Sequence, residues 1–208
     1  MKWVGLDESG KGDYFGYLVV AGVVIDEATA AKLKSVGVKD SKKMSDRAVA
    51  AAAKEVKRIC KYDVVKISPE KYNQLYKKFK NLNKMLAWAH ARVMENIVEK
   101  YEVDHIVVDK FADESVLKSM LFDKSKKKEL IQKIRGEEDI AVAAASVIAR
   151  DEFLKTLHAL SNEVGIILPK GATHVEATAK KILEKYDENT LSLVAKTHFK
   201  TTRKVIKK

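Results

Sequence analysis

The sequence predicts an α/β fold with a central mixed five-stranded sheet flanked by helices. Short apolar runs of strand length alternate along the chain with longer stretches of helical periodicity. This alternation is typical of a sheet whose faces are covered by helices. Acidic residues also stand where two of the apolar runs end, and functional groups commonly gather at such an edge of an α/β sheet.

A β-hairpin is predicted at the start of the chain. Residues 4–7 form a short apolar strand and the valine-rich residues 18–25 form the next one, so the glycine-rich turn between them suits an antiparallel pair. A helix over residues 28–36 and an alanine-rich helix over residues 46–61 follow, the second one started by a polar cap residue.

The middle of the chain predicts two further strands and a long helix. Residues 63–68 predict the third strand, and Pro69 starts a helical turn. Apolar side chains at spacings of three and four predict a helix over residues 85–100 with one buried face. Residues 105–109 predict a buried fourth strand that ends in Asp109.

The last third of the chain is predicted to be mostly helical. Residues 129–135 fit a strand or a helix, and we take them as the fifth strand. Residues 140–160 predict a helix whose small side chains allow close packing against the sheet. Residues 175–186 predict an amphipathic helix, and the basic tail 198–204 is expected to bind phosphate or to be solvated.

Composition narrows the class of protein. With 208 residues, 46% hydrophobic and 33% charged, the chain suits a single domain, residues 1–208. Its net charge of +11 attracts polyanions such as nucleic acid. The lone Cys60 excludes an intrachain disulfide and a thiolate zinc cluster, and it favours a cytoplasmic location. No apolar run suits a membrane helix, so we expect no membrane partner, and a monomer is the default.

The most informative motif joins the first strand to the glycine-rich turn, at residues 5–16. Asp7 and Glu8 are adjacent carboxylates, and the Gly10-Lys11-Gly12 turn can bring backbone amides and an ammonium group to a phosphate. The glycine spacing matches neither a P-loop nor a dinucleotide-binding motif, and the acids alone could equally cap a turn or a helix. Together they predict a metal site beside a phosphate-binding turn.

Further acids are expected at the same edge of the sheet. Asp109 ends the fourth strand, and Glu137 precedes the helix at 140–160, where the helix dipole alone would also favour acids. With Asp7 and Glu8 they could surround a pair of Mg²⁺ or Mn²⁺ ions, because such hard cations prefer oxygen ligands. A two-metal site of this kind would hydrolyse a phosphodiester.

These motifs resemble those of type 2 ribonucleases H, and most of all ribonuclease HIII. The matching segments are residues 5–16, 37–46, 72–73, 81–88, 108–112, 141–150, 168–171 and 198–202. The resemblance implies a ribonuclease H-like fold. It also implies an endoribonuclease that cuts the RNA strand of RNA/DNA hybrids and leaves 3′-hydroxyl and 5′-phosphate ends.

The resemblance implies roles for individual residues. Asp7, Glu8 and Asp109 are expected to be three of the four catalytic, metal-binding acids, and Glu137 is expected to be the fourth, with Glu138 as the alternative. The residues expected to bind substrate are Ser9, Gly10, Lys11, Gly12, Lys42, Lys43, Asn81 and Ser146. Ser146 could equally be a small helix-packing residue. The helical C-terminal portion, about 160–208, is expected to contribute to substrate binding.

Departures from the family pattern qualify this interpretation. Ribonucleases HIII commonly carry an N-terminal hybrid-binding domain, and here we expect a catalytic domain without it, with the basic surface compensating. The segment 168–171 lacks the tyrosine with which ribonuclease HII recognises an RNA–DNA junction, so cleavage within runs of ribonucleotides is expected. The alternatives are a ribonuclease HII-like junction enzyme and a non-catalytic hybrid-binding protein.

Several conspicuous side chains are expected to have structural roles. Met85, Trp88 and Met94 lie at helical spacings and are expected in the core. His90 is also expected to be structural, while His198 is expected either to meet nucleic acid or to have no role.

Overall fold

The computed structural model describes residues 1–38, Ser41 and residues 44–206, with Glu137 described by its backbone alone. The predicted substrate ligands Lys42 and Lys43 lie outside the described residues. The strands are β1 (Lys2–Ser9), β2 (Leu18–Asp26), β3 (Lys61–Ile67), β4 (His105–Asp109) and β5 (Glu129–Lys133). The helices are α1 (Glu27–Ser35), α2 (Asp46–Ile59), α3 (Pro69–Phe79), α4 (Leu82–Lys100), α5 (Glu114–Lys118), α6 (Ile140–Val164), α7 (Glu176–Lys185), α8 (Glu188–Val194) and α9 (Lys200–Ile206).

The strands form one mixed five-stranded sheet, as predicted, and the structure gives their order as β3-β2-β1-β4-β5. β2 is antiparallel to both β1 and β3, while β4 is parallel to both β1 and β5. The parallel register pairs Leu6 with Val108, so Asp7 and Asp109 follow at matching positions of neighbouring strands. Strands in a sheet lie about 4.8 Å apart, and this register therefore brings two predicted metal ligands to the same edge.

Different helices cover the two faces of the sheet. On one face α6 lies so close to β1 that a Cβ added at Gly5 would overlap the backbone of Ala141 and Val142. The run of small side chains at the start of α6 makes this approach possible. On the other face α4 buries Met85 and Met94 completely, which confirms their predicted core positions.

The structure corrects several predicted boundaries in the first part of the chain. Pro69 starts the complete helix α3 rather than a single turn. The helix predicted to begin at residue 85 begins at Leu82, because the side-chain oxygen of Asn81 accepts a hydrogen bond of 3.1 Å from the backbone N–H of Lys84. The strand interpretation of residues 129–135 is confirmed by β5.

The C-terminal segment differs most from expectation. The short helix α8 has no counterpart in the prediction, and it is stabilised by burial of Leu191 and Val194. The expectation of a solvated or phosphate-binding tail is wrong for Thr201 and Thr202, which are buried in α9. The ring of His198 stacks on the neighbouring Tyr76 ring at 4.2 Å between centroids.

None of the helices in the described ranges is long and apolar enough to cross a lipid bilayer.

Candidate active site

A polar trough of about 580 Å³ opens where β1 and β4 end. Many of the predicted functional residues line it, namely Asp7, Glu8, Ser9, Gly10, Lys11, Gly12, Asp109 and Ser146. It also contains side chains that the sequence analysis did not single out, namely Ser41, Lys110, Phe111, Arg150 and Lys170. The fold therefore gathers carboxylates, cations and the glycine-rich turn around one depression.

The carboxylate of Asp109 is held by backbone donors. Its Oδ1 accepts hydrogen bonds from the N–H of Gly136 at 2.9 Å and from the N–H of Lys110 at 3.0 Å. A Cβ added at Gly136 would lie 2.7 Å from the Cα of Asp109, so only glycine fits against this strand end. The tight 3₁₀ turn Gly136–Glu138 is thereby fixed beside β4.

The two candidates for the fourth acid both lie in this 3₁₀ turn. The side chain of Glu137 is outside the described part of the structure. Glu138 is 72% exposed and forms an ion pair of 3.6 Å with Arg135. Its carboxylate is therefore directed to a partner on the surface, while Glu137 as the fourth ligand stays a prediction.

Glu8 contacts a buried histidine on α4. The Nε2 atom of His90 lies 3.0 Å from the Oε2 atom of Glu8, and His90 is completely buried. The imidazole also stacks on the ring of Phe111, with 4.9 Å between centroids, and Lys11 forms an ion pair of 3.6 Å with Glu8. Sequence reasoning placed His90 in a structural role, and no local pattern indicated its contact with a predicted metal ligand 82 residues away.

The predicted metal centre has suitable donor chemistry. Among the described side chains, no three His, Cys, Asp or Glu residues converge closely enough to hold a metal ion. Asp7, Glu8 and Asp109 nevertheless line the same trough, and the Asp7 Oδ1 atom accepts a 2.8 Å bond from the Glu8 N–H. Carboxylate oxygens are the ligands that Mg²⁺ and Mn²⁺ prefer, so these residues fit such an ion.

A cationic wall bounds the trough next to the glycine-rich turn. Arg150 donates to the Asp46 carboxylate at 2.9 Å, and Lys170 donates to it at 2.6 Å. The hydrogen bond from Lys170 lowers the pKa of Asp46, and the hydrogen bond from Arg150 adds a smaller lowering effect. Together they outweigh partial desolvation, which acts in the opposite direction. Ser146 is buried in α6, and its hydroxyl lies 2.8 Å from that of Ser41, so it both packs and lines the trough.

The glycine-rich turn is fastened to the C-terminal third of the chain. The N–H of Tyr14 donates to the carbonyl of Gly171, and the N–H of Gly16 donates to the carbonyl of Val194, each at 2.9 Å. The Tyr14 hydroxyl lies 3.0 Å from the hydroxyl of Thr202. Part of the segment that resembled a substrate-binding tail thus supports the turn from behind.

Asn81 is separated from the residues that converge in the trough. Its side-chain oxygen caps α4, and it does not line the depression. Asn83 instead lines an adjoining cavity of about 740 Å³ with Asp109, Lys110 and Arg135. The two cavities share Asp109, so the polar surface continues past the end of β4.

Comparisons with known proteins identify the family. The model of the ribonuclease HII family matches residues 4–202. Ribonuclease HIII of Protochlamydia amoebophila is 45% identical over 206 residues, which span 99% of this chain and 68% of that protein. Ribonuclease HIII of Chlamydia abortus is 46% identical over 202 residues, which span 95% of this chain and 67% of that protein.

Solved structures agree with the sequence comparisons. The crystal structure of Bst-RNase HIII in complex with Mn²⁺ superposes with a TM-score of 0.92 at 31% identity, covering 99% of this chain and 69% of that one. Aquifex aeolicus RNase H3 gives a TM-score of 0.78 at 34% identity, covering 94% of this chain and 71% of that one. These matches confirm the predicted ribonuclease H-like fold. The chain therefore belongs to the ribonuclease HII family, the type 2 ribonucleases H, and is a ribonuclease H that resembles ribonuclease HIII over nearly its whole length.

Proposed function

We propose that this chain hydrolyses the RNA strand of RNA/DNA hybrids and leaves 3′-hydroxyl and 5′-phosphate ends. The observation that carries the proposal is that Asp7, near the end of β1, and Asp109, at the end of β4, occupy matching positions of neighbouring parallel strands and line one trough beside the glycine-rich turn. Carboxylates suit a divalent cation, and the turn suits a sugar-phosphate backbone. Both features fit the ribonuclease activity that the names of the relatives state.

The proposed ligands of two Mg²⁺ or Mn²⁺ ions are Asp7, Glu8, Asp109 and Glu137. When bound, such ions activate water and neutralise charge on the scissile phosphate. The protein's own contribution is orientation: Gly136 and Lys110 hold Asp109, and His90 holds Glu8. Outer partners of this kind fix the direction of a ligand and tune its basicity. A Mn²⁺ complex of the related Bst-RNase HIII supports metal use.

The proposed substrate surface extends on both sides of the acids. Ser9, Gly10, Lys11 and Gly12 would meet the ribose and phosphate, where the 2′-hydroxyl distinguishes RNA from DNA. Lys42, Lys43, Asn81 and Ser146 stay in the proposed set. Arg150 and Lys170 join it because both line the trough. The net charge of +11 favours a polyanionic substrate of this kind.

The domain organisation is also part of the proposal. Residues 1–208 would act as one catalytic domain, and the C-terminal portion from about 160 onward would contribute to binding by supporting the glycine-rich turn. The hydrogen bonds from Tyr14 to Gly171 and from Gly16 to Val194 support this role. A monomeric state and a cytoplasmic location stay predictions.

One assay tests the proposed activity. Labelled RNA/DNA hybrid, a DNA duplex with a single ribonucleotide and duplex RNA are each incubated with Mg²⁺, with Mn²⁺ or with EDTA. We expect efficient cleavage of the hybrid alone, only with metal, and 5′-phosphate ends on the products. Preferred cleavage at the single ribonucleotide would indicate a junction enzyme instead, and binding without cleavage would indicate a non-catalytic protein.

Substitutions test the proposed metal ligands. We expect Asp7→Asn or Asp109→Asn to lower kcat by more than the ~10–100-fold typical of outer metal partners, with hybrid binding still detectable. Asp123→Asn makes the same change at an exposed position before β5 and should leave cleavage unchanged. Turnover near the wild-type rate in either ligand variant would refute the assignment. Comparison of Glu137→Gln with Glu138→Gln identifies the fourth acid.

A further inference from the structure

Lys196 is completely buried behind the glycine-rich turn, although no sequence pattern singled it out. Its Nζ donates to the carbonyl oxygen of Asp13 at 2.8 Å and to that of Gly16 at 2.7 Å, and the carbonyl of Phe15 lies at 3.5 Å. An ammonium group has three donors and no acceptor, so these carbonyls match its hydrogen-bonding capacity. All three acceptors belong to the turn between β1 and β2.

The segment that carries Lys196 is itself firmly anchored. The side-chain amide of Asn73 on α3 donates to the carbonyls of Ser192 and Ala195, each at 3.0 Å. The side-chain oxygen of Asn73, Oδ1, accepts from the N–H of Thr197 at 2.9 Å. Lys196 also donates its own N–H to the carbonyl of Tyr14 at 2.8 Å. The turn is therefore bonded through Lys196 to a segment that Asn73 fastens to α3.

Burial of an amine at this position is energetically costly. Desolvation lowers the pKa of Lys196 to about 7, while the Asp13 carboxylate opposes the shift. That carboxylate also accepts a 2.6 Å hydrogen bond from the N–H of Gly171. The centre of the Tyr72 ring lies 5.6 Å from the Nζ of Lys196. The pKa of the nearby His198 is lowered mainly by its burial and secondly by the charge of Lys196. An apolar side chain would avoid this cost but would leave the carbonyls of the turn without their donor.

We propose that Lys196 is a positioning residue for the substrate, holding the glycine-rich turn in the conformation that presents Ser9, Gly10, Lys11 and Gly12 to the sugar-phosphate backbone. This inference rests on the proposed function. Within the contacts that the structure describes, Lys196 touches residues 13–16 and none of the predicted metal ligands. Its loss should therefore weaken hybrid binding more than it slows the chemical step.

The test compares Lys196→Met with Lys32→Met. Methionine keeps most of the length of lysine but has no donor, while Lys32 is exposed on α1 and loses the same charge. We expect Lys196→Met to raise KM for the hybrid at least ~10-fold while kcat stays within ~3-fold of wild type. This pattern is expected when an interaction that stabilises the bound substrate and the transition state equally is lost. Hydrogen exchange at the amides of Tyr14 and Gly16 should accelerate. Lys32→Met should match the wild type in both measurements.

Two results would overturn the proposal. One is a folded Lys196→Met protein with wild-type KM and wild-type exchange at Tyr14 and Gly16. The other is a loss of kcat with KM unchanged. If Lys196→Met does not fold, Lys196→Gln replaces it, because the shorter neutral amide cannot reach all three carbonyls. An unchanged KM in Lys196→Gln would also refute the positioning role of Lys196. If the wild-type chain cuts no hybrid, the proposed function fails, and exchange at Tyr14 and Gly16 still tests the support of the turn.

Discussion

We expect Gly136→Ala to disturb the geometry of the active site much more than it lowers the stability of the fold. A Cβ at this position would lie 2.7 Å from the Cα, 2.9 Å from the Cβ and 3.0 Å from the N of Asp109. Carbon atoms in contact normally stay about 3.5–4.0 Å apart, so the strand end and the turn must separate by roughly 1 Å. The φ of Gly136 is not positive, and the effect therefore comes from this contact alone.

Two consequences follow from that displacement. The 2.9 Å hydrogen bond from the Gly136 N–H to the Asp109 carboxylate lengthens, and the carboxylate moves away from its partners at the sheet edge. A misplacement of about 1 Å can lower catalytic rates by ~10²-fold, while overpacking costs about 1–3 kcal/mol of stability. We therefore expect a folded protein whose kcat/KM on the hybrid falls by about two orders of magnitude.

The measurements are kcat/KM on the labelled hybrid and the free energy of unfolding in urea. Ile134→Ala is the matched control, because Ile134 lies in the same loop and is 79% exposed. It should change stability by no more than about 0.5 kcal/mol and should keep wild-type activity. Wild-type activity in Gly136→Ala would refute the reasoning, since the overlap would then have been relieved without moving Asp109.

Two further predictions concern buried imidazole and amine groups. His90→Leu removes the 3.0 Å contact with Glu8 and should weaken Mn²⁺ activation by ~10–100-fold, measured as the Mn²⁺ dependence of cleavage. His90→Gln keeps a hydrogen-bond donor and should recover part of this activation. If both variants behave like the wild type, His90 does not orient Glu8. The second uses the pKa of Lys196, about 7 in the folded chain against its ordinary value of 10.5. Between these pH values the unfolded chain binds more protons, so the contribution of Lys196 to the free energy of unfolding rises with pH, by roughly 2–3 kcal/mol from pH 6 to pH 9. Urea unfolding of wild type and Lys196→Met across this range checks it, and a constant difference between the two would contradict it.

Local patterns were sufficient for most of the fold. Alternating apolar runs predicted the strands that became β1 and β2, and small side chains predicted that α6 would lie close to the sheet. Each of these signals reflects the burial of a single element, which sequence periodicity records directly. The boundary errors at Asn81 and Pro69 arose because one cap and one proline decide where a helix starts. Pro69 was interpreted as the start of a single helical turn, and Asn81 was interpreted as a substrate ligand rather than as a cap.

The candidate site was predictable only in part. Asp7, Glu8 and Asp109 directly follow apolar runs in the sequence, so their convergence in one trough could be expected from the order of the elements. The contact between His90 and Glu8 joins residues 82 apart in the chain, and no periodicity encodes which side chain a buried group will meet.

Lys196 shows most clearly which contacts the sequence pattern could not predict. Composition counted it only as one of many basic residues, yet its Nζ donates to the carbonyl of Gly16 across 180 residues of chain. The amino-acid pattern was enough to assign the sheet, the acids at its edge and the family. The packing of distant segments settled which lysine is buried, which glycine must lack a Cβ and which histidine reaches an acid, because those outcomes depend on three-dimensional neighbours rather than on adjacent residues.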